Sequence, residues 1–299
     1  MIRRLPALLA SAACAVGLAT AMSGPAHAAP MVSVDAYRGA GAWVDIYSSP
    51  ALRAPEAVVR RLASEGVRTL YLETANYRQR PHVDIVHPGP TARFITAAHA
   101  AGIRVVAWYL PGFADVDTDL RRSLAAIQFR TREGQGFDAF ALDIESNVVN
   151  PIARRNAAAI ELSRALRAAV GGSYPLGAII PDARSTAPYR SLWPYFPYLS
   201  LGRIYNVFLP MTYSTFRVRG PGAIQSYIRY NVARVRIATR RAGAPVHPIG
   251  GLANGLNYAE ARAFTAGARM SRALGTSFYN FGLTGPEEWL ALRTSYPGV

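Results

Sequence analysis

The sequence predicts a single-domain (β/α)8 TIM barrel of the α/β class, and three observations support this fold. Apolar strand-like runs alternate with amphipathic helices, and one such pair recurs roughly every 30 residues. About eight pairs fit into the 299-residue chain, and a barrel of this kind commonly takes about 250 residues. No Gly-x-Gly-x-x-Gly motif follows an early strand, which argues against an open dinucleotide-binding sheet. We therefore expect the eighth strand to close the barrel beside the first.

The predicted strands are short runs rich in β-branched, aromatic and small apolar residues. In chain order they cover residues 42–47, 67–73, 103–110, 137–144, 176–181, 205–213, 246–251 and 277–282. The longer connections follow the second, third and fifth strands, at 75–89, 111–117 and 182–203. They therefore lie at the carboxyl ends of strands, where barrels build their active sites.

Four helices between these strands have recognisable start signals, which are capping side chains, first-turn prolines and first-turn acids. The signals are Pro55, the pair Asn150 and Pro151, the capping-box-like pair Asn257 and Glu260, and Pro286 followed by two glutamates. The first three signals lie between two predicted strands and the fourth follows the last strand, as the alternating pattern requires.

The first 28 residues have the pattern of a secretory signal peptide. Arg3 and Arg4 precede a short apolar stretch, and a small-x-small site allows cleavage after Ala28. We predict a leader at 29–40 and the barrel domain at 41–299. No later segment is long and apolar enough to span a bilayer, so we expect a secreted protein without a membrane partner after signal cleavage.

The composition is strongly basic, with no nucleic-acid-binding motif. The chain has 33 arginines, no lysine and 18 acidic residues, a formal net charge of +15. Because the arginines are scattered, we interpret most of them as solvated helix surface and predict no nucleic-acid partner. Attraction to an anionic cell-wall polymer is the second interpretation. Cys14 is the only cysteine and lies in the predicted signal, so the mature chain has no disulfide.

Metal and serine chemistry find little support in the sequence. His82, Asp84 and His87 share a loop, but their spacing is loose and no cysteine accompanies them. No Gly-x-Ser-x-Gly nucleophile motif occurs. We therefore predict neither a metal nor a cofactor.

Acidic and aromatic residues gather at the predicted carboxyl ends of the strands. The acids are Asp45, Glu73, Asp143 and Glu145. The other candidates for contact with substrate are Tyr47, Trp108, Tyr109, Met211, Tyr213, Tyr279 and Phe281. Aromatic rings provide rigid, amphipathic contact area suited to the apolar faces of sugars. We expect the four acids, Tyr213 and Tyr279 to form one contiguous set at this end of the barrel.

Asp143 and Glu145 are separated by one residue on the fourth predicted strand. Side chains alternate faces along a strand, so both point the same way, with Cα atoms about 6.5 Å apart. Two neighbouring carboxyls in a crowded interior do not both ionise freely, and the charge of Asp143 is expected to keep Glu145 protonated near neutral pH. A protonated acid beside a charged one is suited to cleaving a glycosidic bond.

Two segments resemble motifs of the chitinase-type family 18 glycoside hydrolases. Residues 137–145 read Phe-Asp-Ala-Phe-Ala-Leu-Asp-Ile-Glu, residues 211–213 read Met-Thr-Tyr, and Asp138, Asp143 and Glu145 match three of the four acidic motif positions. The resemblance implies that Glu145 protonates the leaving oxygen and that Asp143 orients the substrate N-acetyl group or shares the proton. It further implies that Tyr213 hydrogen-bonds the acetamido group, whose own oxygen is the nucleophile.

Asp45 together with residues 142–145 also resembles, more weakly, the secreted family 25 lysozymes, which cleave peptidoglycan. The sequence thus predicts a secreted glycoside hydrolase that cleaves an envelope or environmental polysaccharide by carboxylate general acid catalysis. Ala141 occupies the fourth acidic position and Ser214 stands where an aspartate usually follows the tyrosine. The alternative is therefore a barrel that binds carbohydrate or cell-wall polymer without cleaving it. Arginines covering both Asp143 and Glu145 would favour that alternative, and an open cleft would favour the enzyme.

Overall fold

The computed structural model describes residues 32–188 and 191–296, which contain a closed barrel of eight parallel strands in sequential order. The last strand pairs with the first, Gly39 lying opposite Gly275 and Ala42 opposite Phe278. The predicted (β/α)8 fold and its closure are therefore confirmed. The predicted signal peptide at 1–28 and the start of the leader lie outside the described residues.

The strands and helices alternate along the chain. The strands are β1 (Gly39–Val44), β2 (Thr69–Asn76), β3 (Arg104–Leu110), β4 (Ala139–Asp143), β5 (Leu176–Pro181), β6 (Val207–Met211), β7 (Ile249–Gly251) and β8 (Gly275–Tyr279). The helices are α1 (Ser49–Arg53), α2 (Pro55–Ser64), α3 (Pro88–Ala100), α4 (Val116–Gln128), α5 (Ile152–Val170), α6 (Tyr198–Leu201), α7 (Pro221–Ala238), α8 (Tyr258–Met270) and α9 (Pro286–Ser295). Within the described ranges, no helix combines the length and apolar character needed to cross a bilayer.

Several strands end earlier than the sequence predicted. β1 begins at Gly39, inside the predicted leader, and ends at Val44 rather than at residue 47. The carboxylate of Asp45 accepts hydrogen bonds from the N–H of Tyr47 and the hydroxyl of Ser48, both at 2.9 Å, and these bonds turn the chain. Strands β4 and β8 stop at Asp143 and Tyr279. The residues that follow therefore lie in rim loops.

The barrel has two apolar layers because side chains alternate along each strand. The outer layer packs strands against helices. The inner layer fills the lumen with large rings, and it includes Tyr37, Trp43, Tyr71 and Trp108. Gly41 is required here, because a Cβ at this position would lie 2.7 Å from the ring of Tyr71. The lumen is thus filled with side chains below the carboxyl ends of the strands.

Most of the predicted helix starts are confirmed. Pro55 and Pro286 begin α2 and α9, and Asn257 forms a full capping box with Glu260 at the start of α8. At α5 the N-cap is Pro151, with no capping hydrogen bond from its side chain. At three of the four predicted sites, the helix therefore begins at its predicted signal.

Candidate active site

A cavity of about 280 Å³ opens at the carboxyl end of the barrel. Residues from all eight strands, or from the loops after them, line it. They are Trp43, Tyr47, Glu73, Asn76, Arg78, Trp108, Leu110, Asp143, Glu145, Ile179, Met211, Tyr213, Ile249 and Tyr279. The structure therefore brings most of the sequence-predicted site residues together at the expected end.

Asp143 and Glu145 lie at the end of β4. Asp143 is the last strand residue and is only 5% exposed, and its Oδ1 has no hydrogen-bond partner among the described residues. Glu145 follows in a turn and is half-buried. Burial raises the pKa of both carboxyls, and repulsion from Glu145 and Glu73 raises the pKa of Asp143 further. Both carboxyls therefore hold their protons to higher pH than exposed carboxyls do.

Glu73 on β2 supplies a third carboxyl to the cavity. Its Oε2 accepts from the N–H of Ile46 at 3.1 Å, and its Oε1 accepts from Nδ2 of Asn76 at 3.2 Å. Burial raises the pKa of Glu73 to about 7, and the charges of Asp45 and Glu145 contribute. The cavity thus holds three carboxyls with raised pKa values, those of Glu73, Asp143 and Glu145. Glu73 lies outside the motif, in which Ala141 replaces one acid.

Asp45 lies beside the cavity rather than in its wall. Its Oδ2 accepts from the hydroxyl of Tyr279 at 3.2 Å and from Nδ2 of Asn280 at 2.6 Å. Its Oδ1 is used by the turn after β1. The position of Asp45 therefore suits it to orient Tyr279, whose hydroxyl faces the site.

The acids at the end of β4 are not covered by arginine in the described parts of the chain. None of the ion pairs found there joins an arginine to Asp143 or Glu145. Arg78 lines the cavity, but its Nε donates to the hydroxyl of Tyr77 at 3.1 Å. Within the described residues, neither carboxyl is therefore neutralised by an arginine ion pair.

Tryptophans form the floor of the cavity. Trp43 stacks on Tyr71 with ring centroids 4.1 Å apart and meets the edge of Trp108 at 5.9 Å. Nε1 of Trp108 is buried without a hydrogen-bond partner in the described residues. Trp108 and Asp143 both line the cavity, and each has one buried polar atom without a partner among the described residues.

The orientation of Trp43 is set from below by a chain of hydrogen bonds. Its Nε1 donates to Oγ of Ser277 at 2.7 Å, and Ser277 contacts Nε2 of His247 at 3.0 Å. Nδ1 of His247 lies 2.8 Å from the carbonyl oxygen of Tyr37, so Nδ1 carries the proton and Nε2 accepts. Burial lowers the pKa of His247 to about 4, so the ring is neutral at physiological pH.

Tyr213 and Met211, at the end of β6, line the cavity together with the acids. Met211 ends β6, and Tyr213 follows it with its ring centroid 6.2 Å from that of Tyr279. Burial raises the pKa of the Tyr213 hydroxyl, and the nearby charges of Glu145 and Asp143 raise it further. Tyr213 is therefore a neutral hydroxyl close to both carboxyls.

Besides Asp45, two further predicted substrate contacts do not line the cavity. Tyr109 follows Trp108 on β3 and so points outward, where its hydroxyl donates to Oδ1 of Asp119 at 2.5 Å. Phe281 lies beyond the end of β8 and packs on Trp289 of α9, with centroids 6.4 Å apart. Strand alternation explains the first difference and the early end of β8 the second.

Other motif residues have structural contacts. Asp138, the first acid of the motif, accepts from the N–H of Val105 at 2.8 Å and pairs with Arg104 at 3.0 Å, away from the cavity. Asp84 pairs with Arg121, and Nε2 of His87 contacts the carbonyl oxygen of Ile46 at 3.1 Å. Their side chains are therefore engaged in packing the ends of the barrel.

A buried arginine holds each of the two loops that border the acids. Arg122 of α4 is 2% exposed and donates to four main-chain oxygens of the loop after β2. These are the carbonyls of Asn76, Gln79, Arg80 and Val83, at 2.8 to 3.1 Å. Arg155 of α5 donates to the carbonyls of Asn147 and Val149 and to Oδ1 of Asn150 in the loop after β4. It also donates to the carbonyl of Leu192 in the loop after β5. The loops around the cavity are therefore braced from the helix layer.

Sequence reasoning missed several cavity residues. Trp43 is the most prominent, and it shares strand parity with Asp45, a signal that was available. Asn76 and Arg78 lie just past the predicted end of the second strand, which β2 exceeds by three residues. Leu110, Ile179 and Ile249 are apolar strand residues whose place at the mouth depends on barrel stagger.

The fold is a (β/α)8 barrel with a carboxyl-lined cavity at the ends of its strands, and comparisons with known proteins agree at the level of fold. An endo-β-1,4-mannanase from Thermotoga petrophila superposes with a TM-score of 0.66 at 10% identity, over 87% of this chain and 76% of that one. The spore cortex-lytic enzyme SleL from Bacillus cereus gives 0.64 at 11% identity, over 88% and 75%. A class V chitinase from Pseudomonas fluorescens gives 0.60 at 14% identity, over 86% and 99%.

No protein-family model and no curated protein sequence matches the chain. At 10 to 14% identity the structural likeness shows the fold alone. The resemblance to glycoside hydrolase barrels, drawn from the segments at the ends of β4 and β6, is confirmed at that level.

Proposed function

We propose that the protein is a secreted glycoside hydrolase acting on an envelope or environmental polysaccharide that carries N-acetyl groups. The observation that carries the proposal is the meeting of Asp143, Glu145 and Tyr213 in one cavity over a tryptophan floor. No described arginine neutralises the two acids. The signal peptide predicted at 1–28 supports export.

In the proposed reaction, Glu145 acts as general acid. Its raised pKa keeps a proton available, and this proton passes to the glycosidic oxygen as the bond to the anomeric carbon breaks. The acetamido oxygen of the substrate attacks that carbon. Oδ1 of Asp143 accepts from the acetamido N–H, and the hydroxyl of Tyr213 donates to the group's oxygen. Water then opens the cyclic intermediate, and Glu145 takes back a proton.

The test is a screen of the mature protein against chitin and peptidoglycan, with release of new reducing ends as the readout. Glu145→Gln is nearly isosteric and cannot donate the proton, so turnover should fall by ~10²- to 10⁴-fold while the melting temperature and glycan binding are retained. Full turnover in this variant would remove Glu145 from the mechanism and direct attention to Glu73 or Asp45.

The second candidate is a barrel that binds carbohydrate or an anionic cell-wall polymer without cleaving it. Ala141 favours this function, because it packs in the lumen where the motif has an acid. Binding of a glycan without any release of reducing ends, in the same screen, would establish it. Salt-sensitive binding to an anionic wall polymer would tie it to the charge of +15.

A further inference from the structure

A second and larger cavity lies at the amino end of the barrel, away from the acids. It has a volume of about 940 Å³, and residues that precede or begin β1, β2, β3, β4 and β8 line it together with the end of α9. We call it the amino-end cavity, and its polar lining includes Asp35, Arg38, Arg68, Arg104, Asp138 and Tyr296. The proposed hydrolysis uses none of these side chains, so this cavity is separate from the candidate active site.

Three arginines stand side by side at this end of the sheet. Arg38 and Arg68 directly precede β1 and β2, and Arg104 begins β3. The N–H of Arg104 donates to the carbonyl oxygen of Arg68 at 2.9 Å, and the N–H of Arg68 donates to that of Ala40 at 2.8 Å. Because neighbouring strands are about 4.8 Å apart, the three residues leave the sheet in one row.

Two of these arginines are oriented by aspartates and still reach solvent. Nε of Arg38 pairs with Asp35 at 3.2 Å, and Nη1 of Arg104 pairs with Asp138 at 3.0 Å. Their side chains are 61% and 60% exposed. A guanidinium has several N–H donors, so one such contact leaves others for a ligand. Its planar fork matches the oxygens of a phosphate group, so these side chains are suited to holding phosphate.

A second group of arginines lies next to this row, in a smaller cavity between α8 and α9. This α8–α9 cavity has a volume of about 310 Å³ and is lined from α8 by Arg262 and Arg269. Ser295 lines both cavities, which therefore adjoin. In the described parts of the chain, neither Arg262 nor Arg269 takes part in an ion pair, and no acidic side chain lines the α8–α9 cavity.

Tyr296, directly after α9, links the two groups of arginines. It lines the amino-end cavity, and its hydroxyl is buried without a hydrogen-bond partner among the described residues. Burial raises the pKa of Tyr296 to about 12, and the nearby charge of Arg269 acts in the opposite direction. Tyr296 is therefore a neutral hydroxyl that still has a hydrogen bond to make.

We infer that the two cavities together bind an extended polyanion with phosphodiester repeats, the chemical class of anionic cell-wall polymers. Five arginines and two aspartates line the two cavities, so successive phosphates of one chain can contact both groups of arginines. The formal charge of +15 adds long-range attraction for such a chain. The inference does not rest on the proposed hydrolysis, because the polymer binds at the other end of the barrel. Attachment to the wall there leaves the carboxyl end open to a substrate.

The rings at this surface favour a polymer of phosphates without bases. Proteins that bind single-stranded nucleic acid stack the bases on aromatic side chains. The two rings that line these cavities, Tyr258 and Tyr296, are half-buried, and the guanidinium carbon of Arg262 lies over Tyr258 at 5.9 Å from the ring centroid. The surface therefore provides charge and hydrogen bonds rather than stacking, which suits a polyol phosphate chain.

The test measures the binding of a fluorescently labelled poly(glycerol phosphate) chain by anisotropy. Two double variants remove the arginines of one cavity each, Arg38→Gln with Arg104→Gln and Arg262→Gln with Arg269→Gln. Each should weaken binding about five- to twentyfold, because two charge-assisted contacts are lost. Raising the NaCl concentration from about 50 to about 500 mM should weaken wild-type binding at least tenfold.

The matched control is the double variant Arg93→Gln with Arg121→Gln. It removes the same charge from α3 and α4, where each arginine also pairs with a carboxylate. It should change the affinity less than about twofold, because these side chains lie outside both cavities. Melting temperatures show whether each variant is folded.

Equal weakening in the control and in both cavity variants would overturn the inference, because binding would then follow overall charge alone. An affinity for the polymer no greater than that for inorganic phosphate, at equal phosphate concentration, would overturn it as well. Tighter binding of a single-stranded oligonucleotide of the same length would assign the surface to nucleic acid instead. Glu145→Gln should bind the polymer like wild type, so failure of the proposed hydrolysis and failure of this binding are read separately.

Discussion

Replacing Glu73 with glutamine is expected to change stability in opposite directions at low and high pH. Glu73 is 5% exposed, and burial raises its pKa from 4.5 to about 7. A group whose pKa is higher in the folded than in the unfolded state contributes stability that is complete below about pH 4.5. That contribution is lost as the pH rises through about 7. Wild-type protein should therefore weaken across this interval, and Glu73→Gln should weaken less.

The size of the effect follows from the same values. The difference between 4.5 and about 7 corresponds to roughly 3 kcal/mol of unfolding free energy above pH 8. Glutamine retains only one of the two acceptors that serve Ile46 and Asn76, which costs about 1 kcal/mol at every pH. The variant is thus expected to be about 2 kcal/mol more stable than wild type at pH 8.5 and about 1 kcal/mol less stable at pH 4. Relief of Asp143, whose pKa the charge of Glu73 raises, acts in the same direction.

Urea unfolding followed by tryptophan fluorescence at pH 4, 6 and 8.5 measures this difference. The control is Ile237→Ala, which removes an uncharged side chain that is 69% exposed on α7, so its difference from wild type should not depend on pH. A difference between Glu73→Gln and wild type that is the same at pH 4 and pH 8.5 would refute the reasoning, because Glu73 would then hold no extra proton in the folded state.

Three further variants test the rest of the site. In the proposed hydrolase, Asp143→Asn should move the alkaline limb of the kcat profile to lower pH, because Glu145 loses its proton more easily without a second carboxylate beside it. Initial rates against pH measure the shift, and an unmoved limb contradicts the coupling. Arg155→Met should cost about 3 kcal/mol in urea unfolding, since buried carbonyl oxygens lose their donor. A loss under about 1 kcal/mol would mean that the loop does not depend on this donor. Ser277→Ala should lower the free energy of unfolding by about 1 to 3 kcal/mol and shift the tryptophan emission maximum, because Nε1 of Trp43 loses its acceptor. Unchanged emission would show that this hydrogen bond does not hold the ring.

The order of strands and helices was predictable because each repeat carries its own hydrophobic period. Pro55, Pro286 and the pair Asn257 and Glu260 are local signals, and the structure places helices at all three sites. The placement of Asp143 on the lumen side also followed from local alternation, since Ala139 and Ala141 share its parity and line the lumen. What depends on a few neighbouring residues was therefore within reach of the sequence.

Features that depend on strand ends, strand register or long-range contacts were not predictable. Tyr109 and Trp108 are equally aromatic neighbours, and only the register of β3 in the closed barrel decides which one faces inward. Phe281 does not line the cavity, as had been predicted, because β8 ends at Tyr279. Trp43 lies at the bottom of the cavity because Ser277 accepts a hydrogen bond from its ring and His247 in turn positions Ser277. Both residues are more than 200 positions away in the chain. Such long-range contacts leave no local pattern in the sequence.

The arginines that brace the rim loops have a consequence for how this site can change over time. Arg122 donates hydrogen bonds only to main-chain oxygens at the end of β2 and in the loop after it. Three of the four acceptors of Arg155 are main-chain oxygens as well. Because the backbone path is fixed from the helix layer, loop side chains between these anchor points are free to be exchanged without loss of loop shape. Mutation can therefore change the rim side chains while the carboxyls beneath keep their positions. The ligand preference of the proposed hydrolase can then diversify without loss of its acids.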